Sequence, residues 1–125
     1  MGGKTLFPAA LFACAAVVLG AFGAHALQQH VTPRMLDIWR TAVNYQMWHA
    51  LALGMIAMQP EQSGALTWSH RLMVAGILLF SGSLYGLVLT GVKPLGMVTP
   101  FGGMAFILAW ALLAWHSWRK AQRHP

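Results

Sequence analysis

The sequence predicts an all-α membrane protein, an antiparallel bundle of four transmembrane helices, on three observations. The 125 residues are 58% hydrophobic, with a mean hydropathy of +0.58. Only 8% are charged, against roughly a quarter in a soluble domain. The apolar residues also fall into four runs, each near the ~20 residues that cross a ~30 Å hydrocarbon layer. Lipid is therefore the expected solvent for most of the surface.

One integral membrane domain, residues 1–125, is expected to contain all four helices. Their approximate bounds are 5–26, 33–58, 70–92 and 100–118. Backbone in lipid must satisfy its own hydrogen bonds, so apolar runs of this length are expected to be helical.

Helix starts and ends are marked by hydroxyl and proline residues. Thr32-Pro33 and Thr99-Pro100 each combine an N-cap hydroxyl with a proline at the first helical position. Pro60 and Pro94 follow the ends of the second and third runs, where a helix is expected to stop. The first run ends in Ala24-His25-Ala26, which resembles a signal-peptide cleavage site. That run is long for a signal core, so we expect it to be retained as a helix.

The orientation follows from the count of Lys and Arg on each side of the membrane. With four crossings, both termini share a side with the loop between the second and third helices. That side carries five basic residues: Lys4, Arg71, Arg119, Lys120 and Arg123. The opposite side carries three: Arg34, Arg40 and Lys93. The positive-inside rule then predicts that both termini are cytoplasmic.

The second run carries unusually many polar side chains for a transmembrane helix. At about 100° per residue, Tyr45 and His49 share one face, which we expect to turn inward. Counting ~1.5 Å per residue from the middle of each run places His49 level with Ser81 and Ser83 on the third helix, and Tyr45 level with Tyr85. The second and third helices are predicted to meet through these side chains. The candidate intramembrane polar site comprises Asn44, Tyr45, Gln46, His49, Ser81, Ser83 and Tyr85.

Glycine and tryptophan residues complete the predicted packing. GAFGA (20–24) and the Gly82/Gly86/Thr90 stripe predict close approaches between helices. An interfacial belt is expected at Trp39, Trp68, Trp115 and Trp118, while Trp48 and Trp110 lie deeper.

Two interpretations of the polar cluster remain open. Hydrogen bonds between helices are the simpler one, each contributing about 0.6 kcal/mol. A path for protons or a small solute along Tyr45 and His49 is the alternative, because intramembrane ionisable groups are often functional. The structural interpretation is preferred, since no intramembrane carboxylate accompanies His49.

Several other classes of function find little support. The basic residues sit singly between apolar runs and at the tail, so no nucleic-acid surface is expected. The single cysteine, Cys14, excludes an internal disulfide and a CxxC motif. His25 is expected at a helix end and His49 near mid-membrane, too far apart to share one ion. His70 and His116 are expected at similar depth on the cytoplasmic side, but without a carboxylate or thiol beside them, so neither metal nor cofactor is expected. The only two acidic residues, Asp37 and Glu61, are expected on opposite sides of the membrane, and no enzyme activity is predicted. Asp37 is expected to pair with Arg34, Arg40 or Thr41 on its own helix.

Four sequence blocks resemble the signature of the YgdD/YwdK family, small uncharacterised bacterial inner-membrane proteins. The blocks are GAFGAH (20–25), TAVNYQMWHALAL (41–53), LFSGSLYGLVLTG (79–91) and TPFGGMAFILAW (99–110). The resemblance covers nearly the whole chain and implies a four-helix inner-membrane protein; it carries over no catalytic residue. The expected function is a non-enzymatic structural or accessory membrane component, with a small carrier or channel subunit as the alternative. The expected partners are the lipid bilayer and either a second copy of the chain or a larger membrane complex.

Overall fold

The computed structural model describes residues 2–123, with side chains from Leu6 onward, and these residues form four long helices and no strand. Helix α1 comprises Gly2–Val18, a π-helical turn at Leu19–Gly23, and Ala24–Leu27. Helix α2 is Pro33–Ala57. Helix α3 comprises Gly64–Gly76, a second π-helical turn at Ile77–Ser81, and Gly82–Thr90. A 3₁₀ turn at Lys93–Met97 leads into α4, Thr99–Arg123.

The helix bounds differ from the predicted ones mainly where polar residues were assigned to loops. Thr32 caps α2 as predicted, because its side chain accepts a hydrogen bond from the N–H of Met35 at 3.2 Å. Helix α3 begins at Gly64 rather than at 70, since the Ser63 hydroxyl accepts the N–H of Leu66 at 3.2 Å and caps the helix there. Helix α4 continues to Arg123 rather than ending at 118. Its last turn is basic, which complements the negative end of the helix dipole.

Three helices in the described part of the chain are long and apolar enough to cross a membrane: Leu6–Leu27, Gly64–Thr90 and Lys93–Arg123. Helix α2 is not among them, and it carries Arg34, Asp37 and Arg40 near its start. The predicted class, an all-helical membrane protein, is confirmed. Of the residues used to predict orientation, the Lys4 side chain lies outside the described residues.

The helices pack as two antiparallel pairs, α1 with α2 and α3 with α4, and α2 joins the pairs by packing against α3. One buried cluster receives side chains from all four helices. Its members are Ala9, Ala52, Leu53, Ile56, Leu66, Met73, Ile77, Phe106, Ala109 and Leu113. Ser69 ties α3 to α4 near its centre, where its hydroxyl donates to the carbonyl of Ala109 at 2.7 Å.

Pairs of helices approach each other closely at Gly23 and at Gly102. A Cβ atom on Gly23 would lie 2.9 Å from the ring of Trp39, so the predicted close packing of α1 on α2 is confirmed here. A Cβ on Gly102 would collide with the backbone of Phe80, so the backbones of α4 and α3 approach closely here. At Gly82 nothing lies within 4 Å of a built Cβ, so the predicted close approach is wrong there. At Gly86, a built Cβ would lie 3.1 Å from the Leu95 side chain, in the 3₁₀ turn and not on another long helix. The π-helical turn just before Gly82 changes which face of α3 meets its neighbours.

The tryptophans predicted at the membrane boundaries differ in exposure: three are about half exposed and one is buried. Trp68, Trp115 and Trp118 are about half exposed. The guanidinium groups of Arg71 and Arg119 lie over the rings of Trp68 and Trp115, at 5.1 and 5.6 Å. Trp39 was wrongly assigned to this belt, because only 3% of it is exposed. Its ring is buried where α1 meets α2, over Gly23.

Candidate functional site

Gln46 joins three helices through its side-chain amide. The Nε2 group donates to the carbonyl of Phe12 on α1 at 2.9 Å. The Oε1 atom accepts the hydroxyl of Tyr85 on α3 at 2.7 Å. Gln46 is buried on α2, and both polar atoms of its amide have partners: the nitrogen donates and the oxygen accepts. This arrangement cross-links α1, α2 and α3 at one level of the protein.

Two further hydrogen bonds fix α2 next to the π-helical turns. The indole N–H of Trp39 donates to the carbonyl of Leu19, the first residue of the turn in α1, at 2.9 Å. The hydroxyl of Ser81, the last residue of the turn in α3, donates to the carbonyl of Ala42 at 2.7 Å. The Trp39 and Tyr85 rings also pack together, with centroids 4.7 Å apart. Both irregular turns therefore supply contacts to α2.

The hydrogen bonds of His49 define its protonation. Its Nδ1 atom lies 2.7 Å from the carbonyl of Tyr45, which can only accept, so Nδ1 carries a proton. Its Nε2 atom accepts the indole N–H of Trp110 at 3.0 Å, so Nε2 carries a lone pair. His49 is therefore the neutral Nδ1–H tautomer, with both ring nitrogens engaged. The predicted hydroxyl partners on α3 were wrong; the histidine is bonded within α2 and to α4.

A stack of rings surrounds His49. The imidazole lies parallel to the ring of Phe106, with centroids 3.5 Å apart. Tyr45 stacks on Phe80 at 4.3 Å, which is the contact it makes with α3. These rings and Trp110 line a groove of about 500 Å³. Within the described residues, the Tyr45 hydroxyl has no hydrogen-bond partner, so it is the one polar group of the ring stack that remains unpaired.

Ser83 and Asn44 have separate surroundings. The Ser83 hydroxyl donates to the carbonyl of Phe80 at 3.0 Å and lies 2.6 Å from the hydroxyl of Thr99, at the start of α4. Asn44 is exposed and makes no hydrogen bond within the described residues. The predicted set therefore divides into a cross-link at Gln46, Ser81 and Tyr85, a ring stack at Tyr45 and His49, and these two separate residues.

The sequence reasoning missed the partners on α1 and α4. Trp110 was predicted to lie deep in the membrane. Its indole has one N–H donor, and a buried donor needs an acceptor, which is His49. The acceptors Phe12, Leu19 and Ala42 act through backbone carbonyls, which every residue possesses. No residue type marks such a partner in the sequence.

The histidines near the other end of α4 form no ligand set. The Ser63 hydroxyl lies 2.7 Å from Nδ1 of His116, whose Nε2 atom is buried and has no hydrogen-bond partner among the described residues. Ser63 is level with His116, and Ser69 is level with Ala109. His70 therefore lies about 10 Å from His116 along the helices, by the rise per residue, and the predicted similar depth of the two histidines was wrong. In residues 2–123, no three His, Cys, Asp or Glu side chains are grouped to hold a metal ion.

The two acidic residues lie in ion pairs. Asp37 lies 3.7 Å from Arg40, one of its three predicted partners. Glu61 lies 3.1 Å from Arg123, which ties the loop between α2 and α3 to the end of α4.

Comparison with known proteins places this arrangement in a family. Residues 19–103 match DUF423, described as a protein of unknown function. The chain belongs to this family. Within UPF0382, the name its relatives carry, it is 46% identical to the membrane protein YwdK of Bacillus subtilis over 83% of this chain and 87% of that protein. It is 49% identical to a UPF0382 membrane protein of Staphylococcus aureus over 83% of this chain and 86% of that protein. No solved structure matches the chain.

These relatives confirm the resemblance to YwdK, and together with the apolar helices they confirm a membrane location. The matched residues include all seven members of the predicted polar site. Phe106 and Trp110, which contact His49, lie beyond the match to the family.

Proposed function

We propose that this DUF423 protein is a non-enzymatic structural or accessory component of the bacterial inner membrane. The observation that carries the proposal is the state of His49, whose two ring nitrogens are both engaged in hydrogen bonds. Gln46 likewise uses both ends of its amide to hold neighbouring helices. Polar groups committed in this way stabilise a helical arrangement and leave neither ring nitrogen of His49 free to transfer a proton.

The proposal includes four membrane crossings. At 1.5 Å per residue, the 25 residues of α2 extend about 37 Å, more than the hydrocarbon thickness. Two of the polar side chains that lower its hydropathy, Gln46 and His49, are buried and bonded inside the protein. Internal pairing removes most of the cost of placing such groups at membrane depth. Helix α2 is therefore proposed to cross the bilayer beside the three more apolar helices.

Both termini are proposed to be cytoplasmic. The ion pair between Glu61 and Arg123 supports a common side for the α2–α3 loop and the end of α4. The larger number of Lys and Arg residues at that end supports the cytoplasm as the common side.

The proposed partner is a second copy of the chain or a larger membrane complex. Helix α1 supports this, because only 11% of the residues in its most apolar stretch are buried within the protein. Exposed side chains such as Phe7, Leu11 and Phe22 are available to lipid or to another helix. Co-purification from native membranes in mild detergent should yield a self-assembly or a stoichiometric partner. A bare monomer in every mild detergent would argue against the accessory role.

A small proton or solute carrier is the second candidate, because a groove of about 500 Å³ reaches Tyr45 and His49. Proteoliposomes with a pH-sensitive dye inside distinguish the two functions. The structural proposal expects the same proton leak from the wild type and from the His49→Ala variant. A flux that requires the wild-type protein and disappears in folded His49→Ala protein would establish the carrier instead.

A further inference from the structure

A cleft with two basic residues lies between the start of α2 and the end of α3. It has a volume of about 350 Å³ and is lined by Arg34, Met35, Ile38, Leu87 and Lys93. Gly91, at φ 72°, ends α3 in the left-handed conformation that glycine adopts readily, and Lys93 follows it in the 3₁₀ turn. The cleft thus combines two cationic side chains with three apolar ones.

Within the described residues, no carboxylate lies at ion-pair distance from either of these two cations. The chain has only two side-chain carboxylates, Asp37 and Glu61. Arg40 and Arg123, respectively, lie within ion-pair distance of them. An anion from outside the chain can therefore pair with both Arg34 and Lys93.

Arg34 also lies in the first turn of α2, next to the positive end of the helix dipole. The first turn of α2 contains no acidic residue that would offset the positive end of the dipole. A bound anion would interact favourably with the helix terminus and with both cations.

The apolar side chains indicate what kind of anion fits. Met35, Ile38 and Leu87 line the cleft beside the cations, and they belong to helices of a membrane protein. An acyl chain would cover them and a phosphate would reach the cations, whereas a free phosphate would leave the apolar side chains uncovered. We propose that this cleft binds one anionic phospholipid, with its phosphate between Arg34 and Lys93 and an acyl chain along Met35, Ile38 and Leu87.

Native mass spectrometry of the detergent-purified protein tests this site. Phosphatidylglycerol and phosphatidylcholine with identical acyl chains are titrated separately, and the first bound lipid is quantified. The wild type is expected to prefer phosphatidylglycerol. The Arg34→Gln/Lys93→Gln variant should bind it about thirtyfold more weakly, from the usual contribution of each basic residue near a lipid surface.

The matched control is Arg71→Gln/Arg119→Gln, which removes the same charge from two arginines stacked on tryptophans at the other end of the α3–α4 pair. It should bind the first phosphatidylglycerol as the wild type does. Equal binding of both lipids, or equal losses in the two double variants, would overturn the proposal. Displacement of the lipid by millimolar inorganic phosphate would overturn it too, because the site would then select a soluble anion.

Circular dichroism checks that the variants are folded. If the double variant is misfolded, Lys93→Gln alone replaces it, since Lys93 is exposed in the 3₁₀ turn. This single variant should lose about fivefold in affinity. An unchanged affinity in folded Lys93→Gln protein would contradict the site. This outcome is independent of the proton-flux measurement on His49.

Discussion

The indole N–H of Trp110 donates to Nε2 of His49, and the two nitrogens lie 3.0 Å apart. The opposite ring nitrogen of His49 lies 2.7 Å from the carbonyl of Tyr45. The imidazole is thereby held as a neutral link between α2 and α4. A proton carrier built on His49 would have to break one of these bonds in each cycle.

Replacement of Trp110 by phenylalanine should destabilise the protein by about 1 kcal/mol, because the buried Nε2 atom of His49 loses its donor. The free energy of unfolding, measured by titration with sodium dodecyl sulfate in mixed micelles, checks this value. Trp118→Phe is the control on the same helix, since Trp118 is half exposed and donates no hydrogen bond within the described residues. Equal effects of the two substitutions would show that loss of aromatic area, and not the hydrogen bond, is being measured.

Two amides on α2 offer a second matched comparison. Gln46→Leu removes the partner of the Tyr85 hydroxyl and the donor to Phe12, and should cost about 1–3 kcal/mol. Asn44→Leu changes an exposed residue without a hydrogen bond in the described chain and should stay within about 0.5 kcal/mol of the wild type. The same unfolding titration measures both. A cost for Asn44→Leu as large as that for Gln46→Leu would contradict the assigned role of Gln46.

Adjacent glycines on α4 test the packing of α3 on α4. Gly102→Ala places a methyl group against the backbone of Phe80 and should destabilise the protein by about 1–3 kcal/mol. Gly103→Ala meets only the end of the Phe80 ring, at 3.9 Å, and should be neutral or stabilising by up to about 1 kcal/mol through helix propensity. The thermal midpoint of Gly103→Ala should be equal to or higher than that of the wild type, and that of Gly102→Ala should be lower. The reverse order would show that the two helices do not approach at Gly102.

Single cysteines test the proposed orientation. In a Cys14→Ser background, Gln29→Cys lies in the loop after α1 and Gln62→Cys in the loop after α2. A membrane-impermeant maleimide added to spheroplasts should label Gln29→Cys only, and permeabilisation should expose Gln62→Cys. Labelling of Gln62→Cys alone in intact spheroplasts would reverse the orientation. Labelling of both would mean that α2 does not cross the membrane.

The sequence was sufficient for the helical class and for the start of α2, because hydropathy and the Thr32-Pro33 cap are local signals. It also included Gln46 and Tyr85 in the candidate polar site, but it set Tyr85 level with Tyr45, whereas the Tyr85 hydroxyl donates to Gln46 at 2.7 Å. Residue type and approximate depth select such residues but do not pair them.

The partners of His49 and the close approach at Gly102 could not be predicted in the same way. Depth on α3 was counted from the middle of the predicted helix, and α3 begins at Gly64 rather than at 70, which moves its middle toward the N-terminus. Ser81 therefore lies at a different level from His49 and reaches the carbonyl of Ala42, while the histidine bonds to α4. Backbone acceptors add to the difficulty, because their position depends on the fold and not on residue type.

The π-helical turn at Ile77–Ser81 lets α3 hold one residue more than a regular α-helix of the same length. The N–H of Gly82 bonds to the carbonyl of Ile77, five residues earlier, where an α-helical turn spans four. Deletion of Leu78, whose side chain is 60% exposed, should therefore close the turn into regular α-helix. Met73 would then stay against α4 and Ser81 against α2. In a helix without such a turn, the loss of one residue would rotate everything that follows by about 100°.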